Sequence, residues 1–262
     1  MRSIAIMNQK GGVGKTTTSV NLAVGLARHG CRVQLLDLDP QAHASLHLGL
    51  EPQEDFTSIY DVLVEGKSLA DVRRQMEDNL WLVPAHLDLT GVELKLASVI
   101  GREIVLRNKI AADSEAFDFL IIDCPPSLGL LTLNALSAVE DIIVPLQPHY
   151  LAMHGLSKLL ETIDIVADLL NSRLRLDGVV LCMYDGATTL AREVADDVSQ
   201  FFQQKHEANS PWATAKMFQT KIRRNVRLAE APSFGKSIFD YDPQSHGAQD
   251  YAALVEEVLN RK

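Results

Sequence analysis

The sequence predicts an α/β fold built on a mostly parallel, twisted sheet with helices on both faces. Short aliphatic or β-branched runs alternate with helix-period apolar residues along the whole chain, the pattern of strands separated by crossover helices. A glycine-rich stretch also sits between the first such run and the first helical pattern. With 262 residues, 47% of them hydrophobic, the chain can bury a large core without disulfides or a structural metal. No repeat or linker divides it, so residues 1–262 read as one domain.

Strands are expected at residues 3–7, 32–37, 81–84, 119–123, 141–145 and 178–183. Most are continuously apolar, which marks strands buried on both faces. A helix is expected from near Thr16. A second carries Leu156, Leu159, Leu160, Ile163, Val166, Ala167 and Leu170 at helical spacing, and a last one carries Tyr251, Leu254, Val255, Val258 and Leu259. The last helix has Asp250, Glu256 and Glu257 on its polar side and basic residues only at Arg261 and Lys262. A membrane-surface helix needs the opposite charge. Residues 205–212, with Asn, Ser and Pro together, read as a surface loop.

Several classes are excluded early. Apolar runs such as residues 142–144 are far below the roughly 20 residues of a membrane helix. The N-terminus turns polar at Asn8-Gln9-Lys10 before an export signal could form. Cys31, Cys124 and Cys182 are widely spaced and odd in number, as expected of buried, reduced thiols in a cytoplasmic protein. A net charge of −9 argues against a surface that is basic all over. Between Glu207 and Glu230, however, no acidic residue occurs, while Lys216, Lys221, Arg223, Arg224 and Arg227 do.

The chemistry is carried by Gln9-Lys10-Gly11-Gly12-Val13-Gly14-Lys15-Thr16-Thr17, between the first strand and the first helix. Glycines there let backbone N–H groups turn inward around phosphate oxygens, and the helix N-terminus adds its positive dipole. Lys15 is placed to reach the β and γ phosphates, and the Thr16 hydroxyl to ligate Mg²⁺. Residues Gly11, Gly12, Val13, Gly14, Lys15, Thr16 and Thr17 are therefore the expected nucleotide contacts, and the fold class narrows to a P-loop NTPase-like one. A glycine-rich turn by itself is common, whereas Gly-Lys-Thr between a strand and a helix is selective. The usual pattern has a glycine five positions before Gly14; here Gln9 stands there, followed by an additional lysine, Lys10.

The run Lys-Gly-Gly-Val-Gly-Lys-Thr-Thr resembles the deviant phosphate loop of the ParA/Soj/MinD group of ATPases. Phe119-Leu120-Ile121-Ile122-Asp123 resembles that group's metal-region strand, and Asp37-Leu38-Asp39-Pro40-Gln41 its second acidic motif. Asp123-Cys124-Pro125-Pro126-Ser127 and residues 224–236 are similar to the chromosomal ParA/Soj subgroup, so the likeness spans nearly the whole chain. It implies ATP and Mg²⁺, with Thr16, Asp39 and Asp123 in the metal region and Asp37 supporting a strand end. It implies Lys10, Lys15 and Asp39 as catalytic residues: Lys10 reaches across a face-to-face homodimer to the partner's nucleotide, and Asp39 positions the attacking water. Adenine contacts are expected from Met183 and Asn225.

The resemblance also implies non-specific binding of double-stranded DNA by the ATP dimer, here through Lys221, Arg223, Arg224 and Arg227. Arg223 replaces the proline usual in relatives, and Ala187 stands where many carry a basic residue. Ala42-His43 replaces the usual Gly-Asn after the acidic motif. His43 and His47, four apart, invite a zinc reading, which fails for want of an adjacent glutamate and a third ligand.

The function so implied is an ATP-driven switch, cytoplasmic and nucleoid-associated, that segregates chromosome or plasmid DNA with a ParB-like partner whose contact raises weak hydrolysis. A MinD-like membrane positioner, a ParA-like positioner of another cytoplasmic cargo and a metabolic synthetase of the dethiobiotin or cobyrinate type are the alternatives. The acidic last helix speaks against the first of these, and Lys10 against the last.

Overall fold

The computed structural model describes residues 1–51, 56–204 and 210–261. Eight strands, β1 (Arg2–Ile6), β2 (Val33–Asp37), β3 (Arg74–Glu77), β4 (Leu80–Val83), β5 (Phe119–Asp123), β6 (Asp141–Leu146), β7 (Arg175–Tyr184) and β8 (Lys216–Arg223), form one sheet in the order β3-β4-β2-β5-β1-β6-β7-β8. Every pairing is parallel except β3 with β4. The helices in chain order are α1 (Lys15–Arg28), α2 (His43–His47), α3 (Ile59–Leu63), α4 (Leu69–Val72), α5 (Val92–Lys95), α6 (Val105–Ala111), α7 (Leu130–Ala138), α8 (Ala152–Leu169), α9 (Thr189–Gln204), α10 (Val226–Glu230), α11 (Ile238–Tyr241) and α12 (His246–Asn260).

Because strand side chains alternate between faces, the sheet separates two cores. Ala5, Leu36, Leu120 and Ile122 pack with residues of α3 through α9. Ile4, Ile6, Leu35 and Ile121 pack with α1, α11 and α12. Helices thus cover both faces, as the continuously apolar strands required.

All six expected strands are present, with ends displaced by up to three residues. Two more are found. β3 is a polar antiparallel edge, Arg-Gln-Met-Glu, with no apolar run to announce it. The expected basic segment contains β8, whose inward residues Phe218 and Ile222 are buried while Lys216, Gln219 and Arg223 are exposed.

The last helix differs from its sequence reading in an instructive way. Asp250 and Glu257 do not form a solvated acidic face. Glu257 accepts the Gln219 and Thr220 N–H groups (2.9 and 3.0 Å) and Asp250 the Arg223 N–H (2.9 Å), so α12 caps the open edge of β8. Tyr251, Leu254, Val255 and Val258 are at most 1% exposed, which leaves this helix no apolar face for a membrane. Among the described residues no helix is long and apolar enough to cross one. Of the expected loop at 205–212, residues 205–209 lie outside the described residues; Trp212 is buried, its indole N–H donating to Asp164 (2.9 Å).

Candidate nucleotide site

Strand order places three motifs side by side. β5 lies between β1 and β2, so the loop leaving β1, the carboxylate ending β5 and the acidic turn leaving β2 share one end of the sheet. Asp123 pairs in register with Ile6 on one side and Asp37 on the other.

The loop is open where a ligand would enter. Gly12 and Gly14 have left-handed backbones (φ +72° and +97°), and a Cβ built on Gly11 or Gly12 would meet nothing within 4 Å. Gly14 caps α1 without any side-chain hydrogen bond, so the first amides of this helix have no side-chain acceptor. Such a set of donors suits an anion. Lys15 is buried, its Nζ donating to the Lys10 carbonyl (3.1 Å), and burial holds its ammonium below the usual lysine range against the pull of Asp123 and Asp39. Lys10 itself is exposed.

Asp123 is fully buried, and its two oxygens accept the hydroxyls of Thr16 (2.8 Å) and Ser19 (2.7 Å). Asp37, also fully buried, accepts the Ser45 N–H and hydroxyl (both 2.8 Å) and the Asp39 N–H (3.2 Å). Burial drives both carboxyls well above the usual range, the Asp37 charge adding to the rise at Asp123. Asp39 accepts the Gln41 N–H (3.0 Å) on one oxygen, and its other oxygen has no protein partner among the described residues. A hydroxyl held by a buried carboxylate, with a second carboxylate beside it, is an oxygen set suited to Mg²⁺.

Two of these partners, Ser19 and Ser45, were not singled out in the sequence. Ser19 is three residues after Thr16, so both hydroxyls face β5 from one side of α1. Ser45 had no such signal: it meets Asp37 through the turn after β2 and accepts the Ala85 N–H from beyond β4.

Met183 and Asn225 lie at the same end, on β7 and just past its neighbour β8. Met183 has a left-handed backbone (φ +51°), and Cys182 beside it lies 3.5 Å from the Cβ position of Gly14. Asn225 caps α10, its side-chain Oδ1 accepting the Arg227 N–H (2.8 Å). Of the three free cysteines, Cys124 and Cys182 are buried and Cys31 is partly exposed.

The basic segment is less uniformly cationic than its sequence. Arg223 makes a bidentate pair with Asp250 (2.6 and 3.0 Å), and Arg227 pairs with Glu230 (2.9 Å) and Asp242 (3.3 Å). Lys221 lies over the Tyr184 ring (4.5 Å). Among the described residues Arg224, Lys216 and Lys221 have no carboxylate partner. His43 and His47 do not share an environment although both are in α2: His43, at its first position, is exposed, whereas His47 is buried. Among the described residues no group of three potential metal-ligating side chains occurs.

Comparison with known proteins agrees with this geometry. A family model described as an AAA domain matches residues 1–176. The sporulation initiation inhibitor protein Soj of Bacillus subtilis is 45% identical over 97% of this chain and 97% of its own length. The chromosome partitioning protein ParA of Myxococcus xanthus is 42% identical over 99% of this chain and 88% of its own. Among solved structures, cobyrinic acid a,c-diamide synthase from Mycobacterium smegmatis, with bound ADP and magnesium, superposes with a TM-score of 0.83 at 35% identity, covering 99% of this chain and 94% of that one. An open glycine loop closed by Lys15, a Thr16 hydroxyl held on Asp123, and whole-length likeness to these relatives lead to one conclusion: the chain belongs to the Soj/ParA family of chromosome-partitioning ATPases.

Proposed function

We propose that this chain is a single-domain, Mg²⁺-dependent ATPase that dimerises around ATP, binds DNA without sequence preference as the dimer, and releases it on hydrolysis stimulated by a ParB-like partner. The observation that carries the reading is the division of labour between two lysines of one loop. Lys15 is buried and aimed at its own loop, while the exposed Lys10 ammonium has no protein partner among the described residues. A second cation at the lip is not needed to hold phosphate within one subunit; it suits a nucleotide presented by another copy.

In this reading the amides of residues 11–16 and the Lys15 ammonium hold the triphosphate, and Thr16 with Asp123 and Asp39 forms the metal region. Mg²⁺, when bound, neutralises charge on the β and γ oxygens. Asp39, with one oxygen unengaged, orients water, and Lys10 stabilises charge developing on the partner's nucleotide. Met183 and Asn225 border the adenine. Lys221 and Arg224 supply most of the phosphate contacts on DNA, because Arg223 and Arg227 are already paired. The protein is then cytoplasmic and associated with the nucleoid.

The test is DNA retention by the Asp39→Ala protein with ATP against ADP, at two salt concentrations. Retention with ATP alone, weakened by salt, is expected; equal retention with both nucleotides would overturn the switch. A second reading, phosphate transfer to the carboxylate of a small substrate, is favoured by the relative solved as a cobyrinic acid a,c-diamide synthase. Steady ATP turnover without added substrate, lost in Lys10→Ala, decides against it.

A further inference from the structure

Asn8 stands where the chain leaves the sheet to form the phosphate loop. The β1–β6 ladder continues as far as Met7, whose N–H donates to the Ile143 carbonyl (3.2 Å). In a parallel ladder the next bond would run from the N–H of residue 145 to the Met7 carbonyl. Residue 145 is proline and has no N–H. The ladder therefore ends at this point, and the outward turn of the loop begins.

The Asn8 side chain completes the junction from both of its ends. Its Nδ2 donates to the Pro145 carbonyl (2.8 Å), in place of the backbone donor that a continuing strand would have supplied. Its Oδ1 accepts the Lys10 N–H (3.0 Å), closing an Asx turn over Gln9. The Lys10 carbonyl in turn receives the Lys15 ammonium (3.1 Å). Asn8 is buried, 7% exposed, and both atoms bond to main chain rather than to flexible side chains.

We propose that Asn8 is a positioning residue for Lys10: through its paired bonds to the Pro145 carbonyl and the Lys10 amide it sets where the signature lysine leaves the loop, and so governs hydrolysis across the dimer. The inference rests on the dimer reading above and adds a residue to it. Lys10 is otherwise exposed, and among the described residues no side-chain contact fixes its direction; the constraint lies in its main chain. Serine at this position can still accept an amide two residues on but cannot reach Pro145, which separates the two bonds.

The experiment measures ATP turnover and ATP affinity in Asn8→Ala, Asn8→Ser, Lys10→Ala and the Asn8→Ala/Lys10→Ala pair. A misplacement of about 1 Å costs on the order of 100-fold in rate. Asn8→Ala is expected to lower kcat by roughly 10- to 100-fold while ATP affinity shifts by less than about 3-fold. Asn8→Ser is expected to recover part of the rate. The double variant is expected to be no slower than Lys10→Ala alone, since the two act as one unit. Full turnover in Asn8→Ala, or a further loss on adding it to Lys10→Ala, would overturn the inference. Normal turnover by Lys10→Ala would instead overturn the dimer reading, so the two failures are distinct.

Discussion

The two ends of this sheet solve opposite electrostatic problems. At the end away from the phosphate loop, charges alternate and are matched: Asp141, buried at the start of β6, holds Arg2 (2.7 Å) on one oxygen and Arg175 (2.5 Å) on the other. Arg2 also meets Asp177 (3.2 Å) and donates to the Val258 carbonyl (2.6 Å), tying β1 to the last helix. At the loop end, Asp37 and Asp123 sit on adjacent buried strand ends with hydroxyls and amides as their hydrogen-bond partners among the described residues, beside a lysine whose charged form is disfavoured by burial. One end is satisfied by the chain itself. The other turns helix amides with no side-chain cap and a cluster of carboxylates toward one opening, an arrangement suited to an anion and a metal ion together. Stability and function are therefore built into different ends of the same strands.

Substitutions should separate those roles. Lys15→Ala is expected to weaken ATP binding by on the order of 100-fold or more, read by nucleotide titration, with unfolding free energy within about 1 kcal/mol of wild type. Asp141→Ala is expected to do the reverse, costing about 3 kcal/mol in a denaturant titration, because two arginines lose a buried partner, while ATP affinity of the folded protein is unchanged. If Asp141→Ala abolished ATP binding at full stability, the division between the ends would not exist.

A smaller effect is expected where α2 joins the acidic turn to the segment after β8. Burial pushes the His47 imidazole down to about 4, although the Lys236 carbonyl opposes the shift. The unfolded chain titrates near 6.5, so below that pH it binds a proton that the fold refuses. Stability from this residue is complete above pH 6.5 and falls progressively as pH drops toward 4. At pH 5 the loss amounts to about 2 kcal/mol. Thermal or denaturant unfolding of His47→Gln should show a flatter profile between pH 7 and 5. Parallel profiles would mean that His47 takes up its proton in the fold as readily as in the unfolded chain.

What the sequence revealed follows from how local each signal is. Continuously apolar strands such as Phe119–Asp123 announce burial on both faces from their own residues, and the phosphate loop is contiguous. β3 and β8 escaped because an edge strand has only one apolar side, and β8 is interrupted by Lys216, Lys221 and Arg223. The partners of the site escaped for a different reason. Asn8 meets Pro145 only once β1 has paired with β6, and Ser45 meets Ala85 only once β2 has paired with β4. The pairing of Arg223 and Arg227 was not legible in the basic segment because their carboxylate partners Asp250 and Asp242 lie outside it.

The smallest effect concerns the turn that carries Asp39. Ala42 closes this turn with a left-handed backbone (φ 52°, ψ 31°), where the resemblance leads one to expect glycine. An alanine there is strained by roughly 1–2 kcal/mol. Ala42→Gly relieves that strain but removes a buried methyl worth about 0.8 kcal/mol and loosens the unfolded chain by a further 0.4–1 kcal/mol or so. The terms nearly cancel, so stability should change by less than about 0.8 kcal/mol in either direction. The local effect is expected to be plainer: glycine reaches more of the backbone map, so the Ser45 amide bonded to Asp37 should exchange its hydrogen faster. Stabilisation well above that range would sharpen the contrast between the ends, since strain would then be stored at the loop end in excess of what packing recovers. Unchanged Ser45 exchange would show that the turn is held by Asp37 alone.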